Sequence, residues 1–322
     1  SSAIVGGEIA RAAANAVVGA VSQRLSTAMN MHSDTAANMS YSSNGNGIGM
    51  AANHIIGGMS IWTNFSSSSF ENDQVFTGVR LDSNNYDADS SAFTVGVDKK
   101  IGNIILGLAY TGFDSDIDTS ANVGTIKTEG ETIGIYVGLN TGPLSISAGA
   151  GTGEYEIDTT RRDLGSLKTI TADDVTADVT YYHLNVSGTV NRGKLSFTPR
   201  VAYRNFDLDM PAFTDIVPND ENTIATDTLT TSDVSVAGKT YSSDMTEAGL
   251  AVALSMGNKL TPFIDLAYVT EDTTSASYST ELATDGTAAD LGASAADGYI
   301  AYGGGFILNL SNKVNGYLSI TE

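Results

Sequence analysis

SAFTVGVDKKIGNIILGLAYTGF, residues 91–113, contains two alternating segments and the turn that joins them. In the second segment Leu106, Leu108 and Tyr110 alternate with Gly107, Ala109 and Thr111, so one face is large and apolar and the other small or polar. A period of two is the signature of a β-strand, because successive side chains leave the backbone on opposite sides. Lys99–Asn103 lies between the segments and carries the glycine and asparagine of a tight turn. The same pattern recurs along the chain. Ile133, Ile135, Val137 and Leu139 alternate with Thr132, Gly134, Tyr136 and Gly138, and Leu250, Val252 and Leu254 with Gly249, Ala251 and Ala253. Ile264, Leu266 and Tyr268 stand opposite Asp265 and Ala267 in the same way.

Alternation alone says only that the chain is antiparallel β. The connections say more. Short turns at 99–103, 140–143, 191–194, 257–259 and 311–313 alternate with long acidic Ser/Thr/Asp stretches at 71–91, 113–128, 153–177, 205–244 and 270–297. All short turns therefore fall at one end of the sheet and all long loops at the other. That is the layout of an up-and-down transmembrane β-barrel of the outer-membrane type, all-β and antiparallel. Strands are expected near 59–70, 91–98, 104–112, 128–139, 144–153, 178–190, 195–205, 245–256, 260–270, 298–310 and 314–322. Eleven strands leave an edge, and an open edge in lipid strands backbone groups at several kcal/mol each. Twelve strands are expected, with the twelfth beyond Glu322.

Composition narrows the function. The 322 residues carry 16 basic and 37 acidic side chains, a formal net charge of −21. Phosphate repels such a polyanion, so nucleic acid is not an expected partner. There is no cysteine, which removes thiolate metal sites and cysteine nucleophiles. Six of the basic residues, Lys99, Lys100, Arg192, Lys194, Lys259 and Lys313, cluster in the short turns. Aromatics near strand ends, namely Trp62, Phe65, Tyr110, Phe113, Tyr203, Phe206, Tyr268 and Tyr317, fit interfacial girdles.

Before the strands, Glu8 to Asn30 is alanine-rich and free of proline, the one convincing helix, roughly 35 Å long. Its polar side chains Arg11, Asn15, Gln23 and Arg24 would be costly against lipid and call for a wet environment. The chain divides into this helix (1–30), a polar glycine-containing linker (31–57) and the barrel (58–322).

A twelve-stranded barrel behind a pore-length helix resembles the translocator (β) domain of autotransporters, the type V secretion proteins. Residues 91–113 carry the most specific likeness: Gly96-Val97-Asp98, a basic pair, a short turn, then an aliphatic-Gly-aliphatic strand. GIYVGLNTGPLSISAGAG (134–151) and KLTPFIDLAYVTED (259–272) add to it. The resemblance implies that the helix lies inside the barrel and carries the end of an N-terminal passenger to the cell surface. It also implies an outer-membrane location with the long acidic loops outside, and outer-membrane lipid, the passenger and the barrel assembly machinery as partners of a monomer. No Asn-Asn pair marks the helix, so self-cleavage is not expected. The strands would line the lumen with small Gly, Ser and Thr, with His183, Arg200, Arg204, Glu247 and Asp265 as polar wall residues.

No catalytic residue, cofactor or metal is required by this reading. His183 and Ser187 share one strand face but stand roughly 13 Å apart, too far for a nucleophile and its base. Asp114, Asp116 and Asp118, or Asp173, Asp174 and Asp178, offer oxygen ligands for Ca2+, yet lack the glycine and distal glutamate of a dedicated loop. Two other functions remain open: a porin or small-solute channel, and a soluble β-rich adhesin. The adhesin predicts that Leu106, Leu108, Ile133 and Ile135 pack into an internal core.

Overall fold

A computed structural model describes residues 2–30, 46–72, 86–119, 124–162, 169–215, 234–257, 259–273, 298–311 and 313–321. One helix, α1 (Ser2–Asn30), is followed by twelve long antiparallel strands. These are β1 (Asn46–Ile56), β2 (Met59–Asn72), β3 (Tyr86–Ile101), β4 (Ile104–Thr119), β5 (Gly124–Asn140) and β6 (Leu144–Arg162), then β7 (Thr169–Gly188), β8 (Leu195–Met210), β9 (Lys239–Leu254), β10 (Leu260–Thr273), β11 (Tyr299–Asn309) and β12 (Val314–Thr321). Each pairs with its sequence neighbours, and β12 pairs with β1, so the sheet closes on itself. Three-residue strands at 190–192, 213–215 and 234–236 decorate the connections.

The expected twelve-stranded barrel is thus present, and the correction concerns which residues supply the twelfth strand. Asn46–Ile56 lies in the stretch read as linker, yet it occupies the place between β2 and β12 that the sequence reading left for a strand beyond Glu322. Its small residues, Gly47, Gly49, Ala51 and Ala52, hide the alternation of Ile48 and Met50 that marks its outer face. Of the rest of that linker, 31–45 lies outside the described residues and Gly57 begins the turn into β2.

β1 also forms the shortest seam of the ring. It meets β12 over six residue pairs, Gly47–Ser319 to Ala52–Val314, and its register with β2 shifts between Ala52 and Ile56. Fewer ladder bonds mean a lower free energy for local opening. The amides of 46–56 are expected to exchange faster than those of β4, β5 or β6, which hydrogen-exchange mass spectrometry of the detergent-solubilised protein can read.

The two faces of the wall sort as the alternation requires. Leu106, Leu108, Ile133 and Ile135 are 49%, 51%, 58% and 64% exposed, so they face outward and the internal-core expectation of a soluble adhesin fails. The outer face changes character along each strand. On β5, Val137, Ile135 and Ile133 nearest the short turn give way to Glu131, Glu129 and Lys127 towards the loop end. On β7, Val186, Leu184 and Tyr182 give way to Thr180, Asp178 and Thr176. About 9–11 residues of a tilted strand cross a bilayer, so strands of 16–20 residues carry a polar collar beyond the apolar belt.

The aromatic girdle is smaller than the sequence suggested. Phe65, Tyr110 and Tyr268 face outward, and Tyr203 packs against the exposed Tyr182 with the rings tilted, but Trp62, Phe113, Phe206 and Tyr317 are buried inside the barrel. The reason is spacing: Trp62/Phe65, Tyr110/Phe113 and Tyr203/Phe206 are each three residues apart, and an odd separation on a strand places the two rings on opposite faces.

Candidate functional site: the occupied lumen

α1 runs through the barrel, and its described side chains from Ile9 to Ala28 are buried or half-buried. Ile9, Ala13, Val17 and Val18 pack against the loop-end half of the wall, and Ala20, Val21, Leu25 and Ala28 against the turn-end half. Among the described residues no helix is long and apolar enough to cross a membrane, and this one is enclosed by strands instead.

The loop-end half is apolar. Phe113 stacks on Tyr155 with ring centroids 5.3 Å apart, and Tyr155 leans on Phe206 at 6.1 Å. Leu208 and Met245 complete a collar around the alanine-rich helix. Small luminal residues throughout were expected so that a helix would fit; the fit is achieved the other way round here, because one-carbon side chains make the helix thin and leave room for large wall residues. The luminal glycines serve the same packing. In register, Gly107 faces Tyr136 and Gly130 faces Tyr155, and each ring occupies the space beside the glycine. A Cβ added at either glycine would stand about 2 Å from the ring, at 2.1 and 2.0 Å, so no other residue fits.

At the turn end an ion pair joins helix to wall, the one between them among the described residues. The Arg24 guanidinium donates from Nε to Asp98 Oδ2 at 2.5 Å and from its terminal nitrogen to Oδ1 at 2.8 Å. The Tyr136 hydroxyl donates to Asp98 Oδ2 at 3.0 Å, and Trp62 Nε1 donates to the Tyr136 hydroxyl at 2.7 Å. Arg24 and Asp98 are each 3% exposed, so the pair is desolvated and its planar, two-point geometry fixes both the depth and the rotation of the helix.

Of the other polar helix residues, Asn15 and Gln23 are half-buried, and the Arg11 side chain lies outside the described residues. Of the wall residues, Arg200 on β8, Glu247 on β9 and Asp265 on β10 converge. Arg200 donates from Nε to Glu247 Oε1 at 2.6 Å and binds both Asp265 oxygens, one at 2.8 Å. Arg204 reaches Glu247 Oε2 at 3.4 Å. Gly249, directly opposite Arg200, leaves the space its guanidinium fills. His183 is buried opposite Arg204, with no hydrogen bond to either ring nitrogen among the described residues. Asp98 was missed as a site residue because a carboxylate beside Lys99-Lys100 reads as turn charge. The available signal was its place two residues after Gly96 and four after Thr94, on the small inward face.

Outside the belt, Asp114, Asp116 and Asp118 point outward along β4, and Lys127 lies across from Asp116. Glu156, Asp158 and Asp174 approach one another at the register shift between β6 and β7, where the Asp174 amide donates to Asp158 at 2.8 Å. The negative charge of Asp174, then desolvation and Asp158, raise the Glu156 carboxyl above the usual range. A carboxyl raised on folding is protonated more readily in the native state, so acidification through this window favours the fold and neutral pH opposes it. Hydrogen exchange around 156–158 and 173–175 is therefore expected to slow as pH falls from neutral towards the carboxylate range, once the intrinsic pH effect is removed, and Glu156→Gln should abolish the change.

The autotransporter β-domain family model matches residues 61–321. The chain belongs to this family. Autotransporter β-domains anchor in the outer membrane and serve secretion of a linked passenger. Among solved structures, the translocator domain of autotransporter NalP from Neisseria meningitidis is 14% identical, with a TM-score of 0.59, over 100% of this chain and 98% of that one. The β domain of the Bordetella autotransporter BrkA is 13% identical, with a TM-score of 0.50, over 86% and 98%. At such identities these likenesses show the shared fold. Comparison with curated proteins gives no match.

Proposed function

We propose that this autotransporter β-domain exports a passenger attached ahead of α1 and then remains as its membrane anchor, with α1 as the plug of the emptied pore. The supporting observation is that α1 lies within a closed barrel, its N-terminal half at the loop end and its C-terminal half at the turn end. A passenger preceding α1 would thus leave the barrel on the loop side. The long acidic loops face outside the cell and the basic turns face the periplasm. The work is mechanical rather than catalytic: His183 and Ser187 are luminal wall residues, and the buried ion pairs hold helix and wall in place. Because β1 and β12 close the ring, no sheet edge calls for a second copy, and the barrel works as a monomer inserted by the barrel assembly machinery.

A porin reading would need a lumen open to solute, and the collar of Phe113, Tyr155 and Phe206 against α1 argues against it. Single-channel recording in planar bilayers tests the choice. Removing residues 1–30 is expected to convert a nearly silent barrel into a steady conductor; equal conductance with and without them overturns the plug.

A further inference from the structure

The lipid-facing belt is not uniform. Two cross-strand rows of outward side chains, Lys99–Leu106–Val137–Ala148 and Val97–Leu108–Ile135–Ala150, run across β3 to β6. The small Ala148 and Ala150 lower one end of these rows, because their neighbours on β7 are Leu184 and Tyr182. Between the rows lies an open groove of about 820 Å3, which reaches from Met59 and Lys99 to the two alanines. Its walls are almost wholly aliphatic. Its one outward charge is the exposed Lys99, two residues before the 101–104 turn, at the level where the belt meets water. The carboxylate nearest in sequence, Asp98, points inward and is held by Arg24, and no ion pair to the lysine is formed among the described residues.

We propose that this groove binds one anionic diacyl phospholipid of the turn-side leaflet, phosphatidylglycerol in chemical class, with its phosphate at Lys99 and an acyl chain laid across β4, β5 and β6. A lysine at the end of an apolar furrow can extend its stem over the apolar surface and keep its ammonium at headgroup level. Charge makes the site discriminating. With a formal charge of −21 the chain as a whole repels anionic lipid, so a preference for it over a zwitterionic lipid has to come from a local cation. The proposal rests on the reading of the outer face as lipid-facing but not on the plug.

Native mass spectrometry of the detergent-solubilised full chain, loaded with equimolar phosphatidylglycerol and phosphatidylethanolamine of matched chains, tests it. The wild type is expected to retain one phosphatidylglycerol preferentially. Lys99→Gln should reduce that preference about fivefold, the effect of one cation at an anionic headgroup, and Lys99→Arg should preserve it. Ala148→Leu with Ala150→Leu should lower retention of both lipids by filling the furrow. Lys259→Gln, on the turn between β9 and β10, should change nothing. Equal retention of the two lipids by the wild type, or an unchanged preference in Lys99→Gln, overturns the proposal. So does an equal loss in Lys259→Gln, which would spread the preference around the rim. Failure to retain any lipid would instead count against the lipid-facing reading itself.

Discussion

Arg24→Ala is expected to loosen the plug, lowering stability by about 3–5 kcal/mol and giving the intact chain a conductance close to that of the barrel without residues 1–30. The lost attraction is only part of this cost. Truncation leaves the Asp98 carboxylate buried at 3% exposure with, among the described residues, the Tyr136 hydroxyl alone to bond it, and a buried unpaired charge is worse than a missing pair. The helix also loses the contact that fixes its rotation, since the alanines around it grip by area and not by direction. Asp98→Ala should behave similarly. The double substitution Arg24→Ala with Asp98→Ala should be milder than either single change in stability, because no charge is stranded, yet still leaky because nothing sets the helix depth. Urea unfolding in micelles reads the first quantity and single-channel recording the second. Tight, silent channels in both single variants would show that the apolar collar alone holds the plug.

Arg200→Met is expected to be the most destabilising single change in the wall, again about 3–5 kcal/mol and more where the barrel cannot relax. Arg200 is the shared partner of Glu247 and Asp265, which are 1% and 5% exposed. Without it two carboxylates are left buried close together, with Arg204 reaching Glu247 at 3.4 Å. Neutralising them in the same background, Arg200→Met with Glu247→Gln and Asp265→Asn, should recover most of the loss. The network spans β8, β9 and β10, so its failure should open that side of the barrel and leave the α1 contact with β3 untouched. Heat-modifiability on gels and hydrogen exchange of β8–β10 separate this outcome from global misfolding.

The two ion-pair systems show how much of the lumen was legible. Arg200, Arg204, Glu247 and Asp265 fall on the inward phase of three consecutive strands, which makes them legible as wall residues; that they converge depends on the strand registers, which the sequence does not show. Arg24 is legible as a polar residue on a helix that needs a wet environment. Its partner is not, because pairing residues 74 positions apart requires knowing how deep the helix sits and which strand it faces. The aromatics failed for a subtler reason. Their types and positions near strand ends suit an interface equally well on either face, and only the phase of each strand separates Phe65 from Trp62 or Tyr110 from Phe113. β1 failed because glycine and alanine carry little hydrophobic contrast, and its placement depends on ring closure, a property of the whole sheet and of no segment within it.

By itself the sequence determined the strands of period two, the sorting of short basic turns from long acidic loops, the need for twelve strands and the alanine-rich helix with polar side chains that lipid would not accept. These are local quantities, set by the two-residue repeat of the pleat and by the cost of an unpaired backbone group in a bilayer. Tertiary structure alone decided that Asn46–Ile56 closes the ring, that Asp98 receives Arg24, and that large rings over glycines grip a thin helix where a lumen of small residues was expected. Each of those depends on contacts between residues far apart in the chain, and close packing selects among them only when helix and wall are present together.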